Sequence, residues 1–135
     1  MRLSAEQRVA IVGAGHSGGR VALHLRACGF KGEIVVIGEE PDLPYERPPL
    51  SKEYLLTNEG APHAGLSSEI GWREVGVRLC LGTKAINLQP SRKRLHLSDG
   101  QVLDYDRVVL AMGAAPRELG IPGGNRGQVL LLRTL

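Results

Sequence analysis

Net charge is nearly absent from this chain. Its 17 Lys and Arg stand against 14 Asp and Glu, a formal +3, too little to hold a nucleic acid by charge. The one basic cluster, Arg92-Lys93-Arg94, reads as a hairpin tip in solvent. Cysteine is also scarce. Cys28 and Cys80 lie far apart and form no Cys-x-x-Cys, which excludes a redox dithiol and zinc-ligand spacing within the chain. Two unpaired thiols fit a reducing cytoplasm. Long apolar runs are missing as well. Met1 to Arg8 is short and polar, Val9 to Val12 is too short for a secretory segment, and nothing approaches the ~20 apolar residues of a membrane span. There is no internal repeat and no low-complexity tract. The remainder is ordinary globular composition, 135 residues with 42% hydrophobic and 23% charged, enough for one domain.

Glycine is plentiful, at 18 residues, and its placement organises the chain. Val9-Ala10-Ile11-Val12 is a short apolar run stopped by glycine, the pattern of a buried strand. Val21, Leu25 and Cys28 recur at helical spacing, with Gly29 placed to end a helix over His16 to Cys28. Glu33 to Ile37 is a second apolar run. Strand, glycine turn, helix and strand predict a βαβ unit with parallel strands. Pro41, Pro44, Pro48 and Pro49 exclude regular structure up to Leu50. Ser51 is placed to cap a short helix over Lys52 to Leu56. Thr57 to Ser68 reads as loop, Glu69 to Val75 as a short helix, Val77 to Leu81 as a strand. From Lys84 the pattern becomes antiparallel: Ala85 to Leu88, Arg94 to Leu97, then Gln101 to Leu103 after an Asp99-Gly100 turn. Asp106 to Ala111 is a further buried strand. A linker-like Gly/Pro stretch near 120–127 precedes a last apolar run, Val129 to Leu132.

The chemistry concentrates in Gly13-Ala14-Gly15-His16-Ser17-Gly18. Gly-x-Gly-x-x-Gly alone is a weak signal, but here it follows a strand and opens a helix. Gly13 permits the tight turn, Gly15 lets a pyrophosphate approach the backbone, and Gly18 lets helix and strand pack closely. Ala22 keeps that packing face small. The helix N-terminus then offers free N–H groups and partial positive charge to phosphates. An acid is expected about 20 residues later, at the end of the second strand. Glu39 lies there, with Glu40 beside it. A carboxylate at that point accepts both hydroxyls of an adenosine ribose and repels a 2′-phosphate, which disfavours NADP. This pattern does not separate NAD from FAD.

The next segment does so by resemblance. Leu43-Pro44-Tyr45-Glu46-Arg47-Pro48-Pro49-Leu50-Ser51-Lys52 resembles the L-P-Y-x-R-P-P-L-S-K stretch of FAD-dependent NADH:ferredoxin reductases. These include the putidaredoxin and rubredoxin reductases and the reductase components of dioxygenases, with apoptosis-inducing factor a more distant relative. Trp72, Gly76-Val77, Leu81-Gly82-Thr83, Leu97-Ser98-Asp99-Gly100, Tyr105 to Ala111, Gly113, Pro116-Arg117 and Leu132 to Leu135 continue the likeness in order, so it covers nearly the whole chain.

The resemblance implies an α/β, Rossmann-like FAD/NAD(P)-binding three-layer fold, with a parallel sheet and a small antiparallel β-meander. It implies that residues 1–135 are the N-terminal segment of an FAD-binding domain, with the NADH domain, the second FAD segment and the C-terminal domain outside it. FAD is the implied cofactor, NADH the co-substrate, and a [2Fe-2S] ferredoxin or rubredoxin the electron acceptor. No catalytic acid or base and no metal are expected. Gly13, Gly15, His16, Ser17 and Gly18 would surround the pyrophosphate and Glu39 would hold the ribose. Arg47 would lie along the adenosine half, Lys52 would reach toward the isoalloxazine, and Ala85 would offer backbone to the adenine. Ala111, Gly113 and Arg133 would line the phosphates. Each has a plainer alternative: Lys52, Arg117 and Arg133 as solvent residues, Arg47 as a cap of the proline-rich loop, Trp72 as packing. His16, His24, His63 and His96 need no catalytic role. The chain departs from the family in Met112, where Ala-Thr-Gly is usual, in Ser17 for alanine, in Ala85 for valine, and in Gly19, which weakens the helix start by about 1 kcal/mol.

On this reading the isolated chain has no NADH-dependent reductase activity and binds FAD weakly or not at all. Its missing sheet strand leaves an edge open to self-association. The alternatives are another flavoprotein of the same fold, nitrite-reductase-like or NADH-oxidase-like, and a non-catalytic nucleotide-binding module.

Overall fold

The two β-branched runs at the start of the chain pair side by side. In the computed structural model, which describes residues 4–56, 65–118, 120–124 and 129–135, they are β1 (Arg8–Val12) and β2 (Glu33–Ile37), parallel in register from Arg8–Glu33 to Val12–Ile37. Helix α1 (His16–Ala27) connects them. There follow α2 (Glu53–Leu56), α3 (Glu69–Glu74), β3 (Val77–Cys80), β4 (Ala85–Gln89), β5 (Arg94–Leu97), β6 (Val102–Asp104) and β7 (Arg107–Leu110). A four-stranded parallel sheet runs in the order β3-β2-β1-β7, and β4-β5-β6 form a separate antiparallel meander.

Successive side chains of a strand point to opposite faces, and here both faces are covered. Val9, Ile11, Ile34 and Val36 face Ala22, Phe30 and Trp72. Ala10, Val12, Val35 and Ile37 face Leu95, Leu97, Leu103 and Tyr105 of the meander side. Helices, parallel sheet and meander thus form three layers. Burial on both faces explains why β1 and β2 read as continuous apolar runs. Trp72, 1% exposed, is core packing.

Helix α1 ends one residue before the expected Cys28. The amide of Gly29 donates to the Arg26 carbonyl and that of Phe30 to the Leu25 carbonyl, with Gly29 at φ +84°, a Schellman closure. Phe30 beyond it is buried, whereas Cys28, expected on the apolar stripe, is exposed. Gly19 also turns out differently: a Cβ there would stand 2.6 Å from Leu66 Cδ1 and 2.8 Å from Pro44 Cβ, so the lost helix propensity is offset by close packing.

Residues 41–47 form no helix or strand, as expected, but the exclusion does not reach Leu50. Pro48–Ser51 form a turn of 3-10 helix with proline in its first positions, where a missing N–H leaves no bond unmade. Ser51 Oγ lies 3.4 Å from the Pro48 carbonyl; the cap found on a helix N-terminus is Ser68 of α3, whose Oγ accepts from the Gly71 amide at 3.1 Å. The Asp99-Gly100 turn is present, with Gly100 at φ +86°, and β6 begins one residue later than expected. Arg92, Lys93 and Arg94 are exposed at the β4–β5 tip. Val129 to Leu132 adopt no regular element and are exposed. His63, residues 57–64 of the expected loop and 125–128 of the linker-like stretch lie outside the described residues.

Candidate functional site

The residues that follow the C-terminal ends of β1, β2 and β7 meet at one crevice, the place where α/β sheets bind ligands. A cavity of about 420 Å³ lies there. Its floor is the loop from Gly13 to Ser17. Gly13 has φ +112°, and a Cβ on it would stand 2.2 Å from the Ala111 carbonyl oxygen, so β7 packs directly on the turn. A Cβ on Gly18 would stand 1.8 Å from the Gly13 carbonyl oxygen and 3.3 Å from Ile11 Cγ2. Gly18 is therefore buried beneath the loop, supporting it against β1, and does not line the cavity. Gly15 differs: a Cβ there would have only Arg47 Nη2 within 4 Å, at 3.8 Å. No protein atom demands glycine at that point, and the space above it belongs to the cavity. As N-cap of α1, Gly15 makes no side-chain cap bond, and the first turn holds no acid. His16 and Ser17 complete the lining on this side.

The rim carries charge of both signs. Glu39 lines the cavity at the end of β2, exposed, with Lys84 Nζ 3.1 Å from its Oε1. Lys84 carries no signal in the sequence, since the pair forms only when the β3–β4 connection crosses the end of β2: the Thr83 amide donates to the Gly38 carbonyl at 2.8 Å and the Gly82 amide to that of Glu40 at 3.0 Å. The same crossing brings Ala85 to the cavity.

Glu40, the residue after Glu39, also lines the cavity. Its Oε2 accepts from the Tyr45 hydroxyl at 2.5 Å and its Oε1 from Arg47 Nη2 at 2.5 Å. Arg47 Nη1 donates to the Tyr45 oxygen at 3.1 Å and to the Arg133 carbonyl, and the guanidinium lies 5.3 Å from the Tyr45 ring centre, within cation–π range. Tyr45 is 4% exposed. Burial and the bond to Glu40 push its hydroxyl up to about 12, with Arg47 pulling the other way. Arg47 also serves the plainer role considered for it, since its backbone carbonyl accepts the Leu50 amide at 3.0 Å and closes the 3-10 turn.

Ala111, Met112 and Gly113 continue from β7 along the cavity. Arg133 comes back to the same place, its Nη2 2.6 Å from where a Cβ on Gly113 would stand. Among the described residues no carboxylate pairs with the Arg133 guanidinium. Of the twelve expected site residues, Gly13, Gly15, His16, Ser17, Glu39, Arg47, Ala85, Ala111, Gly113 and Arg133 meet around this cavity. Gly18 lies beneath it. Lys52 stands apart, exposed at the end of the 3-10 turn, and Arg117 is exposed outside the lining. Glu40, Tyr45, Thr83 and Lys84 are among the lining residues to which sequence reasoning gave no role, as is Asp42. Among the described residues no cluster of His, Cys, Asp or Glu could hold a metal ion, and no helix is long and apolar enough to cross a membrane.

A glycine loop between a parallel strand and a helix, an acid at the end of the next strand and a cavity at the strand ends define a Rossmann-like dinucleotide-binding fold. The family model for pyridine nucleotide-disulphide oxidoreductases matches residues 7–135, and the chain belongs to that family. It is 40% identical over 126 residues to a ferredoxin–NAD(P)(+) reductase of Sphingomonas sp., covering 93% of this chain and 30% of the relative. It is 41% identical over 128 residues to the ferredoxin–NAD(+) reductase component of the p-cumate 2,3-dioxygenase system of Pseudomonas putida, covering 95% and 32%. Among solved structures, a ferredoxin reductase from Rhodopseudomonas palustris superposes with a TM-score of 0.88 at 35% identity, over 96% of this chain and 32% of that one. The covalent putidaredoxin reductase–putidaredoxin complex gives 0.82 at 39%, over 87% and 28%. The expected likeness to ferredoxin reductases is found. A water-forming NADH oxidase from Lactobacillus brevis, 18% identical with a TM-score of 0.80, shares the fold alone. The chain spans about a third of the length of the relatives it matches.

Proposed function

We propose that this chain is the N-terminal, nucleotide-holding segment of the FAD domain in an NADH-dependent reductase of a ferredoxin-type iron–sulfur protein. The observation that carries the reading is the cavity that joins the glycine loop, Glu39, Arg47 and Arg133 in one place. Its residues suit the adenosine diphosphate half of FAD. The first turn of α1, which holds no acid, and Arg133, which has no acidic partner among the described residues, would face anionic oxygens, bare backbone at Gly15 permits close approach, and Glu39, steadied by Lys84, accepts ribose hydroxyls. Ala85 closes the adenine side, Ala111 and Gly113 the pyrophosphate side. Lys52, away from this cavity, is the cation assigned to the flavin end. When bound, FAD supplies the redox chemistry, taking a hydride from NADH and releasing electrons singly; the chain supplies position and electrostatics. The NADH domain, the second FAD segment and the C-terminal domain belong to the longer protein on this reading. The acceptor is a [2Fe-2S] ferredoxin or rubredoxin, and the free thiols of Cys28 and Cys80 suit a reducing cytoplasm.

Titration of the chain with ADP, FAD and FMN, followed through backbone amide resonances, tests this. ADP and FAD are expected to shift Gly13, Gly15 and Ser17, and FMN to leave them in place. FAD binds more weakly than about 1 μM, and NADH does not reduce it faster than in buffer. Loop resonances unmoved by millimolar ADP would overturn the nucleotide site.

A further inference from the structure

We infer that Glu40 is a positioning residue for the nucleotide: it holds the Arg47 guanidinium over Gly15, so that Arg47 contributes shape and hydrogen-bond direction while Arg133 contributes net charge. This rests on the nucleotide-site reading above and deepens it.

The geometry carries the assignment. Both Glu40 oxygens are used within the chain, one by Arg47 and one by the Tyr45 hydroxyl, each at 2.5 Å. Tyr45 is buried and cannot move aside, so the carboxylate has a fixed seat. Arg47 is then held on three sides, by Glu40, by the Tyr45 oxygen and ring, and by the Arg133 carbonyl. Its Nη2 stands 3.8 Å from where a Cβ on Gly15 would be, the point at which the backbone is bare. An unheld arginine loses rotamer freedom when a ligand orders it; here that ordering precedes any ligand. The pair is also neutral as a unit, with both side chains about three-quarters buried, whereas among the described residues Arg133 has no acidic partner.

The sign of one substitution separates this from a bystander carboxylate. Glu40→Gln removes a negative charge beside a site for an anion, so electrostatics alone would tighten ADP binding. Positioning through Arg47 makes it weaker. The experiment titrates ADP into the full chain, with loop amide shifts as the readout and the amide spectrum as the check of fold, for wild type, E40Q, R47Q and the double variant. E40Q is expected to weaken ADP about tenfold, and the double variant to bind as R47Q does. Tyr45→Phe, which keeps every charge and removes one hold on the carboxylate, should weaken ADP about threefold, and not at all in the R47Q background.

Unchanged or tighter binding by E40Q overturns the inference while leaving the nucleotide site intact. So does an E40Q loss of equal size with and without Arg47, which would make Glu40 a direct contact. If wild type shows no ADP-induced shift, the nucleotide site and this inference fall together.

Discussion

Tyr45 shows how one side chain ties the site to stability. Its hydroxyl is raised from 10.0 to about 12, chiefly by burial and by donating to Glu40. A group whose folded pKa is raised contributes stability that is complete below the unfolded pKa and is lost as pH climbs to the folded one. Stability from Tyr45 is therefore present below about pH 10 and disappears between about 10 and 12. Melting temperatures of wild type and Tyr45→Phe across that window should converge as pH rises, and a constant gap would contradict the assignment. Gly18 makes a second residue-level case. A Cβ there overlaps a backbone oxygen at 1.8 Å, and no side chain can yield. Gly18→Ala should cost about 1–3 kcal/mol in urea denaturation, with the loop amides displaced. The same glycine was legible in the sequence by its spacing, whereas Glu40 was not. Spacing singles out Glu39 and leaves Glu40 without a role, and only the seat beside buried Tyr45 supplies one.

At the scale of elements, short pieces are held by their ends. Helix α3 has six residues, too few to persist by propensity alone, yet it carries the fully buried Trp72. The Ser68 cap and the packing of that indole hold it. Ser68→Ala should cost about 1 kcal/mol, seen as an earlier change in the fluorescence of this single tryptophan during urea denaturation; an unshifted midpoint would count against the cap. The β1–α1–β2 unit was legible because period and punctuation agree: apolar runs, a glycine turn, helical spacing, Gly29. The 3-10 turn at Pro48 was not. Proline disfavours helix interiors, and nothing in the local pattern says that these two occupy a first turn.

At the scale of the molecule, β7 pairs on one side with β1 and, among the described residues, with no strand on the other. Leu110 at its end is 55% exposed and Leu130 of the C-terminal segment 89%. Unpaired strand edges beside apolar surface invite association. We expect the sedimentation coefficient of the chain to rise with concentration, and Leu110→Lys, a charged residue on the open edge, to flatten that rise. Concentration-independent sedimentation of the wild type would refute it.

The sequence by itself determined the parallel βαβ unit, the glycine loop and the acid 21 residues after Gly18, because turns, strands and helices are local and leave periodic marks. It also determined the family likeness, through the Leu43–Lys52 stretch. Tertiary structure alone decided that Lys84 would meet Glu39, that Glu40 would grip Arg47, and that Lys52 would stand clear of the cavity. Those outcomes depend on which distant segments cross the ends of the sheet. Such crossings arise from the packing of three layers, and a linear pattern carries no trace of them.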